Sequence, residues 1–312
     1  MNIFYDINEV NNEESTVLTI GTFDGFHIGH QQIVDHLVTE AKKSKARSFL
    51  ITFEPHPRSV LSKDFDLKLL TTLQEKLNLI EKSGVDNVLV IKFTPEFSRL
   101  TSDEFIQQII VDKIGIKELV IGYDHRIGRD RGGDENKLRE LGDTFGFMVT
   151  PVYAVKIDQD AISSTKIRHA LADGDIERTN KYLGRNYSFS GSVVKGAMRG
   201  RTLGFPTVNI TVNNNHKMIP ARGVYLVKLF LNSESFYGIM NIGMRPTFGD
   251  TVELVIEVYI FNFNRDVYGE NLTVEVIKKL REEKKFDSKD ALVEQLESDK
   301  KKALEIVNYL NN

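Results

Sequence analysis

Two stretches of this chain combine residue types suited to chemistry at phosphorus. The first is Gly21-Thr22-Phe23-Asp24-Gly25-Phe26-His27-Ile28-Gly29-His30, which follows an apolar run and precedes a helical pattern. Its glycines Gly21, Gly25 and Gly29 let the backbone approach a phosphate closely. A helix N-terminus behind them offers unpaired N–H groups and partial positive charge. His27 and His30 are spaced to share one face of a helical turn, where two imidazoles could donate hydrogen bonds to phosphate oxygens. The alternative is a pair of ordinary histidines beside a βα turn. Far downstream, Ser163, Ser164 and Thr165 read as the hydroxyl-rich start of a helix, with Arg168 one turn on. Hydroxyls, free N–H groups and an arginine make a triphosphate clamp; a plain capped helix is the alternative. Two further segments end apolar runs on the same rim: Thr52 to Pro57, with His56, and Gly122 to Gly128, with Asp124. Both also read as simple turns.

The second stretch runs from Gly196 to Asn209. It holds Gly196, Arg199, Gly200, Arg201 and Gly204, a basic glycine loop whose N–H groups could cradle a diphosphate. It lacks the Gly-Lys-Ser/Thr ending of a Walker loop. Thr207 and Asn209 alternate on an expected strand, so both side chains point the same way. A hydroxyl and an amide oxygen are hard ligands suited to Mg²⁺. The alternative is a hairpin loop with a basic surface. Glu257 lies within the apolar run Leu254 to Phe261. It is either the solvent face of an alternating strand or, beside a metal–phosphate site, a general base. Asn241 to Phe248, with Arg245, reads as a turn-rich connector, and Leu280 to Phe286, with Arg281, as a charged run.

These groups need elements to hold them. In the first half, apolar runs Thr16 to Gly21, Ser48 to Phe53, Asn87 to Phe93, Glu118 to Gly122 and Phe147 to Tyr153 predict buried strands. Helical patterns at Gly29 to Lys43, Thr71 to Ser83, Ser102 to Ile114 and Glu135 to Phe145 alternate with them. That alternation predicts an α/β fold, a doubly wound parallel sheet of Rossmann type. Short helices are expected at Thr165 to Ala172 and Ile176 to Leu183. After about Gly184 the pattern becomes strand-like and turn-punctuated, which predicts a small antiparallel β-barrel. A closing helix follows from about Ser288, with Leu292, Leu296, Ala303, Val307 and Leu310 on one face. The expected domains are 1–184 and 185–312.

The chain has 312 residues, enough for two ordinary cores. Net charge is −3, so no global field draws it to nucleic acid or anionic membrane. There are no cysteines, which excludes disulfides, thiolate metal sites and cysteine nucleophiles. No signal-peptide pattern and no spanning apolar run is present. These features give the expectation of a soluble, cytoplasmic protein.

The histidine and Ser-Ser-Thr-x-x-Arg motifs resemble those of the nucleotidylyltransferase superfamily. Arg199 to Asn209, Asn241 to Phe248, the strand bearing Glu257 and Leu280 to Phe286 resemble the kinase half of the prokaryotic bifunctional riboflavin kinase/FMN adenylyltransferases. The likeness covers roughly Thr16 to Leu310. It implies that the barrel phosphorylates riboflavin with ATP, with Thr207 and Asn209 holding Mg²⁺ and phosphate and Glu257 as base. It implies that the first domain then adenylylates FMN to FAD, with His27 and His30 stabilising the transferring phosphate. Gly21, Phe23, Asp24, Gly25, Gly29, Ser163, Ser164, Thr165 and Arg168 would bind that nucleotide, and Gly196, Arg199, Arg201 and Gly204 the kinase's. His56, Asp124, Arg245 and Arg281 would contact flavin. Riboflavin, FMN and ATP are the implied small-molecule partners, with neither nucleic acid nor membrane. A flap role for Leu280 to Phe286 rests on the resemblance alone. Tyr259 stands where the family often has histidine, and Val208, Asn262 and Asn264 also depart from its usual pattern. A noncatalytic barrel that binds flavin or nucleic acid, and a flavin-binding regulator without turnover, are the competing readings.

Overall fold

Thr16 to Ile20 is apolar enough to be buried on both faces, and it becomes the central strand of a parallel sheet. The computed structural model describes residues 1–12, 15–62, 66–123, 126–129, 132–196, 200, 203–246 and 252–311. The chain divides into two compact units, Met1–Ser164 and Thr165–Asn312.

In chain order the first unit carries β1 (Asn2–Phe4), β2 (Thr16–Ile20), α1 (Ile28–Ser44), β3 (Arg47–Glu54), α2 (Pro57–Leu61), α3 (Leu73–Lys82) and β4 (Asn87–Lys92). Then come α4 (Ser102–Phe105), which runs on as a π-helical stretch Ile106–Ile114, β5 (Ile116–Gly122), α5 (Glu135–Phe145) and β6 (Met148–Val152). A two-stranded hairpin of β7 (Lys156–Ile157) and β8 (Asp160–Ala161) follows. The six-stranded sheet has the order β1-β4-β3-β2-β5-β6, and all its pairs are parallel. Strand residues alternate between two cores. Leu18, Phe49, Ile51, Leu89 and Leu119 pack with Ile106, Ile110, Leu138 and Leu141 on one face. Val17, Leu50, Val88, Val90 and Val120 pack with Val34, Leu37, Leu77 and Ile80 on the other. Helices thus cover both faces, as a parallel sheet requires. From β2 the chain steps through β3 to β4 on one side and places β5 and β6 on the other. The C-terminal ends of β2 and β5 therefore form the topological switch point, where such sheets bind ligands.

α6 (Ser164–Ala172) begins at the last residue of the first unit and continues into the second, followed by α7 (Ile176–Leu183), which lies against barrel strands. The strands are β9 (Tyr187–Val194), β10 (Thr207–Thr211), β11 (Gly223–Leu231), β12 (Glu234–Pro246), β13 (Val252–Ile260) and β14 (Asn271–Arg281), and α8 (Lys289–Asn311) ends the chain. They close a barrel in the order β10-β13-β12-β11-β14-β9. Tyr187, Phe189, Tyr225, Val227, Val274 and Val276 are fully or almost fully buried. On the alternate positions Val224, Leu226, Ile239 and Leu280 pack against Ala303 and Val307 of α8. That helix covers the outer face of the barrel.

Three expectations need correction. Asn241 to Pro246 is not a turn-rich connector; it extends β12, fully paired in register with β13. Residues 247 and 248 of that segment lie outside the described residues. Leu310 does not share the buried face of α8; it is exposed, and Asp299 occupies a buried position on that face. Leu280 and Arg281 belong to β14, because pairing with β11 carries the strand past Ile277.

Candidate active sites

The loop after β2 is held by its own backbone and by the segment that leads into α3. His27 is the N-cap of α1, and its Nδ1 accepts from the His30 N–H at 3.2 Å. A ring nitrogen that accepts carries no proton, so the neutral imidazole bears its proton on Nε2. The His27 and His30 rings stack at 3.6 Å between centroids, with 14° between planes. Phe23 meets His30 edge-on at 5.2 Å. Gly29 leaves room for this arrangement, since a Cβ there would press on the His27 ring. Phe23 and Phe26 both have positive φ, a conformation that costs a non-glycine residue energy and persists only where the surroundings fix it.

Those surroundings are visible. The Asp24 carboxylate accepts from the Leu70 N–H at 3.1 Å, the Thr71 N–H at 2.9 Å and the Thr71 hydroxyl at 3.2 Å. Thr71 Oγ1 accepts from the Gly25 N–H. The Ser164 hydroxyl donates to the Asp24 carbonyl at 2.9 Å, which ties the Ser-Ser motif to the histidine loop. Gln31 Nε2 donates to the Phe26 carbonyl. Asp24 is buried and holds the loop's shape. Gly21 continues the β2 pairing by donating to the Ile51 carbonyl.

At the end of β3, His56 caps α2 through Nδ1, which accepts from the Arg58 N–H. Ser163 is partly buried beside Ser164, while Thr165 and Arg168 fall in the second unit, on α6. Asp124 lies outside the described residues.

In the barrel, strand register assembles the second group. Asn209 of β10 stands opposite Glu257 of β13, and Glu257 stands opposite Asn241 of β12. Thr207 stands opposite Tyr259. Cross-strand partners share a face. Ile239, on the alternation of Asn241, packs in the cluster with α8, so this row lies on the outer, helix-covered side. Arg245 reaches along that face, and its Nη2 lies 3.0 Å from Glu257 Oε1. Gly196 and Gly200 lie close to the row. A Cβ on Gly196 would collide with the Asn209 amide, and one on Gly200 would collide with the Phe205 carbonyl and approach Thr207 Oγ1. Gly204 has φ +80. Arg199 and Arg201 lie outside the described residues. Phe205 and Tyr259 meet edge-on at 5.0 Å, and Lys300 of α8 stands over both rings.

Arg281 is engaged by α8. Its Nε donates to both Asp299 oxygens, at 3.1 and 2.9 Å, and its guanidinium stands over the Phe286 ring. Gln295 donates a further hydrogen bond to Asp299. Glu283 packs against Gly243, where any side chain would displace it. The 280–286 segment is thereby laid along β12 and α8.

A family model described as FAD synthetase matches residues 9–166, and one described as riboflavin kinase matches residues 183–307. A bifunctional riboflavin kinase/FMN adenylyltransferase of Buchnera aphidicola is 39% identical across 98% of this chain and 97% of its own length. The chain belongs to this family. The Listeria monocytogenes member is 39% identical over 91% of the chain and 90% of its own. A crystal structure from Streptococcus pneumoniae, described as a macrolide-efflux protein, superposes with a TM-score of 0.88. It is 30% identical and covers 96% of this chain and 97% of that one. The efflux description stays with that protein. Among the described residues here, no helix is long and apolar enough to cross a membrane.

Sequence reasoning about the bifunctional enzyme missed two charged residues, Lys76 and Asp299. Each occupies a helix position that the apolar pattern reserves for the core, Lys76 beside Leu77 and Ile80 and Asp299 in line with Ala303 and Val307. A charge on an apolar stripe is the signal that could have found them.

Proposed function

We propose that this chain makes FAD from riboflavin in two ATP-dependent steps, one at each group of residues described above. The barrel phosphorylates riboflavin to FMN. The parallel-sheet unit adenylylates FMN to FAD and releases pyrophosphate. Both are in-line displacements at phosphorus, governed by positioning and electrostatics. The observation that carries the reading is the register that sets Asn209 directly opposite Glu257. It puts a hard oxygen ligand beside a carboxylate on a helix-covered face, an arrangement a mere binding module does not need.

In the kinase step Glu257 takes the proton of the ribityl 5′-hydroxyl as its oxygen attacks the γ-phosphorus, and ADP leaves. Arg245 holds the carboxylate in place and faces the flavin end of the site. The Thr207 hydroxyl and the Asn209 amide oxygen fit Mg²⁺ as hard donors. When bound, the ion neutralises charge on the ATP phosphates. Gly196, Arg199, Arg201 and Gly204 are assigned to those phosphates by motif alone. Arg281 aligns the 280–286 segment, through which it acts on flavin.

In the adenylyl step an FMN phosphate oxygen attacks the α-phosphorus of ATP, and no proton has to be removed from this nucleophile. His27, through Nε2–H, and His30 donate hydrogen bonds to oxygens that gain charge. Gly21, Phe23, Gly25 and Gly29 shape the loop, Asp24 anchors it, and Ser163 and Ser164 lie on the nucleotide side. Thr165 and Arg168 are assigned to the ATP phosphates by motif alone. His56, at the end of β3, and Asp124 are assigned to FMN by motif alone. Residues 1–184 form the proposed adenylyl-transfer portion, because its motif extends to Arg168, and 185–312 the proposed kinase. Dependence on ATP supports a cytoplasmic location.

Incubation with riboflavin, ATP and Mg²⁺ should yield ADP with FMN, then pyrophosphate with FAD. Formation of FAD from supplied FMN without any ADP from riboflavin would reduce the barrel to a binding module.

A further inference from the structure

Lys76 is 5% exposed, although burying a charge is costly unless it is well hydrogen-bonded. Its partners are specific. Nζ donates to Thr52 Oγ1 at 2.9 Å, to the Thr22 carbonyl at 3.1 Å and to the Phe53 carbonyl at 3.4 Å. These atoms lie at the C-terminal ends of β2 and β3, where the sheet presents its ligand-binding edge. The Thr52 hydroxyl also donates to the Thr22 carbonyl. One short segment, Leu70 to Lys76, therefore grips the histidine loop at two points. Asp24 and Gly25 are held by Leu70 and Thr71, and Thr22 is held by Lys76.

Between the two grips sits Phe23, with φ 48° and its ring against His30. A left-handed phenylalanine relaxes when its flanks are released. Loosening Thr22 would thus move Phe23, and with it the imidazole stacked on His27. An apolar side chain at position 76 would continue the stripe of Leu77 and Ile80 and fill the core without a buried charge. Packing alone gives no reason for a lysine there.

We propose that Lys76 is a positioning residue for adenylyl transfer, whose buried ammonium pins the histidine loop to the ends of β2 and β3. It touches neither substrate nor the reacting atoms; it fixes where His27 and His30 stand when charge develops on the transferring phosphate. The inference rests on the assignment of adenylyl transfer to those histidines.

The test compares Lys76→Met, Thr52→Val and His30→Ala in the full-length chain, with FMN and ATP as substrates and folding followed by circular dichroism and thermal melting. Misplacement of catalytic groups by about 1 Å can cost on the order of 100-fold. Lys76→Met should lower kcat for FAD formation at least ~10-fold, with KM for ATP held within about threefold, the pattern of a lost transition-state interaction. Thr52→Val, which removes one acceptor and keeps the side chain's shape, should lower kcat by a smaller factor, about threefold. Phosphorylation of riboflavin should be unchanged in both. A folded Lys76→Met protein with wild-type kcat overturns the inference. Should Lys76→Met fail to fold, Thr52→Val decides it, and wild-type kcat there overturns it. Normal FAD formation by His30→Ala would instead overturn the underlying assignment.

Discussion

Arg245 and Glu257 form an ion pair across neighbouring barrel strands, with Nη2 3.0 Å from Oε1. Both side chains keep about a third of their surface in water, at 39% and 30%. Pairs this exposed contribute only about 0–1 kcal/mol to stability. On the proposed reading its value lies in where it points the carboxylate. Arg245→Met should therefore change the urea-unfolding free energy by less than ~1 kcal/mol while lowering kcat for FMN formation by about 10-fold. A variant that loses stability but keeps kcat would make the pair structural.

Gly196 lies so close to Asn209 that any side chain there must push the amide aside. Gly196→Ala should raise the Mg²⁺ concentration needed for half-maximal FMN formation, by about 10-fold. Adenylylation of FMN should be untouched. A Mg²⁺ titration of each half-reaction checks this, and unchanged Mg²⁺ dependence of riboflavin phosphorylation would count against Asn209 as the proposed Mg²⁺ ligand.

Asp299 is 5% exposed at its side chain and holds Arg281, which is 20% exposed. Removing one partner of a fully buried pair costs about 3–5 kcal/mol. Because Arg281 still reaches water, Asp299→Ala should cost about 2–3 kcal/mol. Denaturant unfolding of the variant gives the number, and a loss under ~0.5 kcal/mol would mean α8 is held by its apolar face alone.

Burial pushes the Lys76 ammonium below the usual lysine range, against the opposing pull of Glu54 and Asp24. The folded state then sheds its proton at lower pH than the unfolded chain does. Between those two values the unfolded state binds more protons, so this residue makes stability rise with pH. The wild-type-minus-Lys76→Met difference in unfolding free energy should therefore increase through the alkaline range below the ordinary lysine value. A flat difference would mean that the ammonium is not perturbed.

Much of this was legible in the sequence because period and spacing carried it. The mostly apolar run at Thr16 read as a buried strand, and the His27–His30 spacing placed both rings on one turn. Asn241 to Pro246 misled because glycine, arginine and proline are turn residues in isolation. Register with β13 overrides them, since Gly243 accommodates Glu283 and the proline ends the strand. The pairing of Arg245 with Glu257 was invisible, because it depends on a diagonal reach between strands that only register defines. Lys76 and Asp299 were hidden for another reason. On a helical wheel they look like errors in an apolar stripe, and their partners, two strand ends and Arg281, are remote in sequence.

On the proposed reading, Glu257 serves riboflavin phosphorylation and His30 serves adenylyl transfer. The most direct test is chromatography of the flavins formed from riboflavin, ATP and Mg²⁺ by wild type, Glu257→Ala and His30→Ala. Wild type should give FMN and FAD, Glu257→Ala unreacted riboflavin, and His30→Ala accumulated FMN without FAD. FMN from Glu257→Ala at the wild-type rate, or FAD from His30→Ala, would contradict it.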